Sequence, residues 1–538
     1  MRYFRILSVL LILSLAAGAC AAPAGPAAAA APPGISALGE AAAPGAPLSV
    51  GCSDTAPAAA CVRLREFIAP AADRLAWSDD AATADVLLDA GAAQGSLAGT
   101  WTYALVAPFR TVDDGVALAD LQAAWQGRPS GALAAHPLLA SPGTLRVFTA
   151  LWGPAASTVR AVAAATLLAE AERASGWAII PFDELEMRWK VLQVDGLSPL
   201  ARGLDQPYAL QVPLTLRGSR AQEVLAQAPA ALSNRQEGRM TIVAMTGVTA
   251  LVRATATIME AYGVTYPARD IADWLTSADL THISNEVPFD SNYEVQTDPE
   301  SLRFNSKDSY IELLEAVGTD IVEMTGNHML DYGPEPLLHT FDLYRQRGWQ
   351  WYAAGEDLAA ATAPLKIEHN GNRIAFLGCN YWGPPSAWAT ADSPGTAPPD
   401  LEGMQAQIRA LRSEGYLPIV TFQYVETYDS APLPRQVVDF RAMAEAGAVV
   451  VQGSQAHQPQ ALEFQGDAFI HYGLGNLFFD QMEVLATRQE FIDCLVFYDN
   501  RLLSVELRTA MLEDWARPRP MTPEERAELL GQVFAIQP

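Results

Sequence analysis

Asn327, His328 and Asp331 fall within five residues, in the stretch Thr325-Gly326-Asn327-His328-Met329-Leu330-Asp331-Tyr332-Gly333. An imidazole beside an amide and three residues from a carboxylate can serve acid/base chemistry or form one corner of a metal site. The same residues also suit an Asx-type turn that satisfies only its own backbone. Other turns carry similar chemistry: Ser284-Asn285-Glu286, Gln423-Tyr424 with Glu426, Gly453-Ser454-Gln455-Ala456-His457, and Gly473-Leu474-Gly475-Asn476. His328, Asp331 and Glu426 are the acid/base candidates. Glu286, Asn327 and His457 are candidate metal ligands, and Gln423, Gln455 and Asn476 candidate substrate contacts. His282, His339 and His369 fall in strand or helix patterns or at a turn and are expected to be structural, whereas His471 beside the last turn stays open. Tyr381, Trp382 and Trp388, with Pro384 and Pro385 between them, suit either the wall of a polymer groove or a loop packed on the core.

These turns need a scaffold that brings them together. Each follows an apolar run: Met240 to Met245, Ala278 to Ile283, Asp320 to Glu323, Arg373 to Gly378, Leu417 to Phe422, Ala448 to Val451 and Ala468 to Tyr472. Short apolar runs ending in polar or Gly-containing turns read as strands of an α/β sheet, whose carboxyl edge gathers ligands. The spacing predicts helices over Ser306–Val317, with Ser306 as N-cap and Gly318 as stop, over Arg435–Ala446 stopped by Gly447, and after the Thr325–Gly333 turn up to Gly348. Thr522-Pro523-Glu524-Glu525 is a capping box that starts a terminal helix. Asp499-Asn500 marks a hairpin turn. Convergence of Glu286, Asn327, His328, Glu426 and His457 is the prediction.

A chain of 538 residues, half of them hydrophobic, is long enough for two or three domains. Its 61 acidic and 35 basic residues give a formal charge of −26. That field disfavours a general polyanion partner, nucleic acid included. Arg2 and Arg5 precede an apolar run from Ile6 to Leu15, too short for a stable span and suited to a secretory leader. Ala17-Gly18-Ala19-Cys20 resembles a bacterial lipobox, which implies lipidation at Cys20, a membrane anchor and an extracytoplasmic, cell-envelope location. The expected organisation is a leader over 1–20, an Ala/Pro-rich spacer over 21–46, an α/β domain over 47–220, a linker over 221–237 and a second α/β domain over 238–538. A Cys52–Cys61 bridge is expected in an oxidising compartment, with Cys379 and Cys494 as buried thiols. In the first domain, helices are expected over Asp114–Trp125 and Ser157–Ala174. No Gly/Ser-rich loop opening a helix is read there, so no ligand is named for it.

Two resemblances extend this reading. Ala104-Leu105-Val106-Ala107-Pro108-Phe109 and Trp177-Ala178-Ile179-Ile180-Pro181-Phe182 resemble strand cores of periplasmic solute-binding proteins, which implies either a solute receptor or a scaffold of that fold. In the second domain, Thr246-Gly247-Val248 with Arg253, Ser284-Asn285-Glu286, the Thr325–Gly333 turn, Gln423-Tyr424 with Glu426, Gly453–His457 and Tyr472–Phe479 occur in one order. That set resembles the CapA family of poly-gamma-glutamate capsule synthesis proteins, whose fold is related to calcineurin-like metallophosphoesterases. The resemblance implies an α/β sandwich and partners in a capsular polymer or its synthesis and export machinery. It also implies a paired-metal site in the metal-dependent relatives. Mapped onto this chain, Glu286, Asn327, His328 and His457 are retained, while Val248, Gln423 and Gln455 stand where ligands are expected. Such a set can hold a hard cation such as Mg²⁺ only weakly, and is poor for two transition metals. The leading expectation is synthesis, export or surface retention of an anionic capsular polymer by binding. The alternative is a metal-dependent hydrolase of phosphoester or peptide-like bonds with a divergent site.

Overall fold

Ten consecutive buried residues, Met240–Thr249, form the strand on which the second half of the molecule is laid out. Leu280–Asn285, Thr319–Glu323 and Gln350–Tyr352 follow in parallel on one side. Gln489–Tyr498, Leu502–Glu513 and Arg517–Pro520 follow antiparallel on the other. With Asn476–Phe478 paired to the end of Met240–Thr249, the sheet has eight strands. A second sheet of six runs Leu365–His369, Asn372–Asn380, Leu417–Gln423, Val450–Ser454, Ala468–His471 and Leu462–Gln465, parallel through its four inner strands. This is a computed structural model, and it describes residues 47–91, 95–203, 207–227, 232–293 and 302–538. The leader, Cys20 and the 21–46 spacer lie outside the described residues.

Period-two alternation decides what each sheet face touches. Val243 and Met245 turn toward the six-stranded sheet and pack in one core with Ile374, Phe376, Ile419 and Phe422. Ile242 and Ala244 turn the other way, into a core with Leu313, Leu314, Phe341 and Tyr344. The result is a two-sheet α/β sandwich. Helix ends follow their local chemistry. Pro334–Arg347 starts with proline after Gly333 and stops at Gly348, which takes a left-handed φ of 72°. Pro434–Ala446 stops at Gly447, and Thr522 accepts from the Glu525 amide while Glu525 Oε2 accepts from Thr522 N. Asp499 and Asn500 both adopt positive φ at the hairpin expected there.

Residues 48–233 build a separate eleven-stranded sheet system around Ser96–Pro108, flanked by Ala58–Ile68, Leu118–Trp125, Pro142–Trp152 and Leu167–Ala174. The structure carries the Cys52–Cys61 disulfide, and Cys379 and Cys494 are buried free thiols. Several local expectations differ. The helix expected over Ser157–Ala174 is confined to Leu167–Ala174, because Arg160–Ala161 pairs as a strand with Leu138–Ala140. The helix expected over Asp114–Trp125 begins at Leu118, because Gly115–Val116 pairs as a strand with Trp189–Val194. Ser306 is no N-cap: Ser306–Lys307 pairs with Phe289–Asp290, the Ser306 hydroxyl donates to Leu251 O, and the helix starts at Ile311. A Ser/Gly loop does open a helix in the first region, since Ser141-Pro142-Gly143-Thr144 begins Pro142–Trp152 and Ser141 accepts from Thr144 N at 3.2 Å. Within 221–237, Ala221–Leu225 is helical and Leu232–Ser233 pairs with Ser96–Pro108.

Residues Pro47–Pro538 form one compact unit. Phe109 of the first sheet system stacks edge-on against Phe464 at 4.9 Å and lies 6.4 Å from Phe534. Phe182 meets Tyr498 at 5.2 Å. Arg501 donates to Asp183 O and Leu185 O, and Arg526 grips Asp114 with two nitrogens. Ala104, Val106, Ile180 and Trp189 share a core with Met240 and Ile242.

Candidate functional site

The carboxyl ends of the parallel strands place Glu286 after Leu280–Asn285, Asn327 after Thr319–Glu323, Gln423 at the end of Leu417–Gln423 and Gln455 after Val450–Ser454. The turn at Gly326 presses against the Glu286 backbone so closely that a Cβ there would sit 2.3 Å from Glu286 O. Only glycine permits that approach. Gln455 and His457 both adopt positive φ, 77° and 54°, as does Arg253 at 48°. Left-handed backbone at non-glycine residues is costly, and three of the eleven such residues among those described lie at this sheet edge.

The four side chains meet on a single atom. Gln423 Nε2 donates to Asn327 Oδ1 at 2.7 Å and to Glu286 Oε1 at 3.0 Å, and also contacts Gln455 Oε1. Glu286, Gln423 and Gln455 are 5%, 2% and 2% exposed. Asn327 Nδ2 lies 3.3 Å from His328 Nε2, and His328 Nδ1 lies 2.6 Å from Asp331 Oδ2. A carboxylate only accepts, so Nδ1 carries the proton and Nε2 is the acceptor for Asn327 in the neutral ring. One continuous network thus runs Asp331, His328, Asn327, Gln423, Glu286 and Gln455. Burial depresses the His328 pKa, but the Asp331 hydrogen bond and the fields of Glu286 and Asp331 outweigh it, and the net shift is upward. Asp331 also accepts from Phe304 N at 2.8 Å, and the Phe304 ring lies 4.3 Å from that of His328.

The other candidates form a second network. His457 Nδ1 donates to Asn476 Oδ1 at 2.8 Å, and Asn476 Nδ2 reaches Gln481 Oε1 at 3.2 Å. Gln481 donates to the Tyr428 hydroxyl at 3.3 Å, which donates to Glu426 Oε1 at 2.6 Å. Glu426 is exposed; among the described residues it joins the edge through Tyr428 and Gln481, and its hydrogen bond runs to Tyr428 and not to His328 or Asp331. Val248 is buried and hydrogen-bonds through its backbone to Gly475 O.

Sequence reasoning passed over Asp480, which accepts from the Arg253 guanidinium and, at 2.7 Å, from Ala254 N. Arg253 lies over Phe304 at 5.2 Å and Phe479 at 4.9 Å. It also missed Tyr428 and Gln481. The signal available was their adjacency to motif residues: Asp480 follows Phe479 directly, and Tyr428 stands two residues from Glu426. The Tyr381 ring stacks on that of buried Tyr424 at 4.2 Å, while Trp388 Nε1 donates to Asn380 O and Trp382 is half exposed. Beneath the edge, His282 is fully buried, and burial drops its pKa to about 3. Its Nε2 pairs with Tyr352, whose hydroxyl meets Thr421 at 2.9 Å. His339 pairs with Asp308, and His369 with Thr241.

A paired transition-metal centre does not fit these residues. Among the described residues, no group of three or more His, Cys, Asp or Glu side chains is placed to hold a metal ion. The converging set supplies one carboxylate and amide oxygens, and an amide nitrogen stands at its focus. Nitrogen bearing protons cannot donate a lone pair to a metal, and amide oxygens are weak ligands for Zn²⁺, Mn²⁺ or Fe.

Residues 221–481 match the family model described as bacterial capsule synthesis protein PGA_cap. The capsule biosynthesis protein CapA of Bacillus anthracis is 26% identical over 261 residues, covering 47% of this chain and 63% of that protein. The PGA biosynthesis protein CapA of Bacillus subtilis is 28% identical over 201 residues, covering 37% of this chain and 52% of that protein. The chain therefore spans roughly half to three-fifths of the curated relatives it matches. Among solved structures, a 5'-nucleotidase precursor from Thermus thermophilus aligns at 12% identity and a TM-score of 0.33, covering 55% of this chain and 59% of that one.

Proposed function

Taking as premise that residues 221–481 belong to the bacterial capsule synthesis family, we propose that this chain serves the synthesis, export or surface retention of an anionic capsular polymer such as poly-gamma-glutamate, and that it does so by binding. The observation that carries this reading is the Gln423 amide nitrogen at the point where Glu286, Asn327 and Gln455 converge. A site of amides and one carboxylate is suited to hydrogen-bond a polymer rather than to generate a hydroxide. The expected setting is the cell envelope, with a lipid anchor at Cys20.

The rival reading, a hydrolase using a divergent metal site, draws on the His328–Asp331 pair and on Glu286 Oε2, which has no hydrogen-bond partner among the described residues. It requires the Gln423 amide to turn over so that its oxygen joins the other three. Metal analysis of the purified chain, run beside phosphodiester turnover and polymer-binding assays, separates the two. The expected result is substoichiometric metal, no turnover and retained binding of poly-gamma-glutamate. Stoichiometric transition metal that disappears in His457→Ala would overturn the binding reading.

A further inference from the structure

Counting protons and lone pairs at the sheet edge exposes an imbalance. Four oxygens face the cluster: Glu286 Oε1 and Oε2, Asn327 Oδ1 and Gln455 Oε1. The side-chain donor they share is Gln423 Nε2, which has two protons for three near oxygens. Glu286 Oε2 is buried and has no hydrogen-bond partner among the described residues. The carboxylate as a whole makes one side-chain hydrogen bond, to that neutral amide, and no ion pair joins it to Lys, Arg or His among the described residues. A buried carboxylate with so little compensation is a site short of cationic N–H donors. By contrast, the neighbouring acids are supplied: Asp331 by His328 and Phe304 N, and Asp480 by Arg253 and Ala254 N.

We infer that this acceptor cluster binds a primary ammonium group of a ligand. The ammonium supplies three N–H donors and one positive charge: one proton goes to Glu286 Oε2, a second to the one near oxygen that the two Gln423 protons leave unfilled, and the third to a spare lone pair on an amide oxygen of Asn327 or Gln455. The rim through which such a group enters is formed by Asn327 and the half-buried His328. Resting on the capsule reading above, the ligand group is the free amino end of a γ-glutamyl chain. A protein of net charge −26 repels the polycarboxylate body of such a polymer. The one part of the polymer that carries positive charge is its amino end. The site therefore selects chain ends over chain interiors.

Calorimetric titration of the full chain with a short γ-glutamyl oligomer, with its amino end free or acetylated, tests this directly. Acetylation removes the charge and two of the N–H donors, and is expected to weaken binding about tenfold or more. Glu286→Gln, which keeps shape, should erase the difference between the two oligomers. Equal binding of both forms to the unmodified protein overturns the inference. If neither oligomer binds, the capsule reading fails, and the ammonium site is judged separately by thermal melting in ethylammonium chloride against sodium chloride. A rise specific to ethylammonium that is lost in Glu286→Gln sustains the site, and equal melting in the two salts overturns it. Stabilisation by Mg²⁺ or Mn²⁺ in preference to ethylammonium also overturns it.

Discussion

Between the same two sheets the molecule buries polar side chains at two depths. Deep inside, Asp493 of the eight-stranded sheet accepts from His471 Nδ1 at 2.7 Å and from Gln452 Nε2 at 2.9 Å, both on the six-stranded sheet. All three are essentially inaccessible, and both donors fall on Asp493 Oδ2, leaving Asp493 Oδ1 and His471 Nε2 without partners among the described residues. At the carboxyl edge, Glu286, Asn327, Gln423 and Gln455 also bridge the sheets, but acceptors outnumber donors and the network continues through Asn327 into His328 at the rim. The deep cluster is arranged as a cross-brace. Both clusters leave one buried carboxylate oxygen unmatched among the described residues; the edge cluster differs in that its carboxylate shares one neutral amide donor with two other oxygens and that Gln455 adopts a positive φ.

The largest effect should come from the brace. Asp493→Ala strands the His471 and Gln452 donors and should cost about 3–5 kcal/mol in chemical denaturation. A loss below that range would mean the two clusters differ less than their geometry says. Gln423→Met keeps volume but removes the donor shared by three oxygens. Its stability cost should be smaller, about 1–2 kcal/mol, with polymer binding affected more than folding. If denaturation midpoints of the two variants coincide, the division into brace and site collapses. The smallest effect concerns proton binding at the rim. The His328 pKa is raised in the folded protein, so its pairing stabilises the fold below the unfolded imidazole value of 6.5 and that contribution fades as pH rises through the folded value. Asp331→Asn should lower the His328 midpoint in an NMR titration and narrow the stability gap to the parent as pH increases. A midpoint unmoved by Asp331→Asn would mean another group sets it.

Much of this edge could be read from residue order, because strand ends were marked by apolar runs stopping at polar or glycine turns. Of the five residues expected to converge, Glu286, Asn327 and His328 join one network, His457 and Glu426 fall in another, and Gln423 and Gln455, read as candidate substrate contacts, stand at the centre of the first. The inward direction of the Gln423 amide could not be read, since one side chain offers either an oxygen or a nitrogen to the same neighbours. Glu426 was grouped with His328 by motif order, yet its hydroxyl partner Tyr428 ties it to Gln481 and Asn476 instead. Ser306 looked like an N-cap by type and spacing, and the pairing of Phe289–Asp290 overrode that local preference. Long-range packing was invisible too: nothing in Phe109 or Phe182 announces that Phe464 or Tyr498 will cover it.

That last packing has a practical side. A gene fragment that begins near residue 238, cut to isolate the sandwich, would leave Phe464, Phe469, Phe534 and Tyr498 facing water where Phe109 and Phe182 had lain. It would also strip Arg501 and Arg526 of their carbonyl and carboxylate partners in the first region. Exposed aromatic surface of that kind drives aggregation. Deletion mapping of this chain would then measure solubility and be mistaken for a map of function, whereas point changes inside an intact molecule would not suffer that confusion.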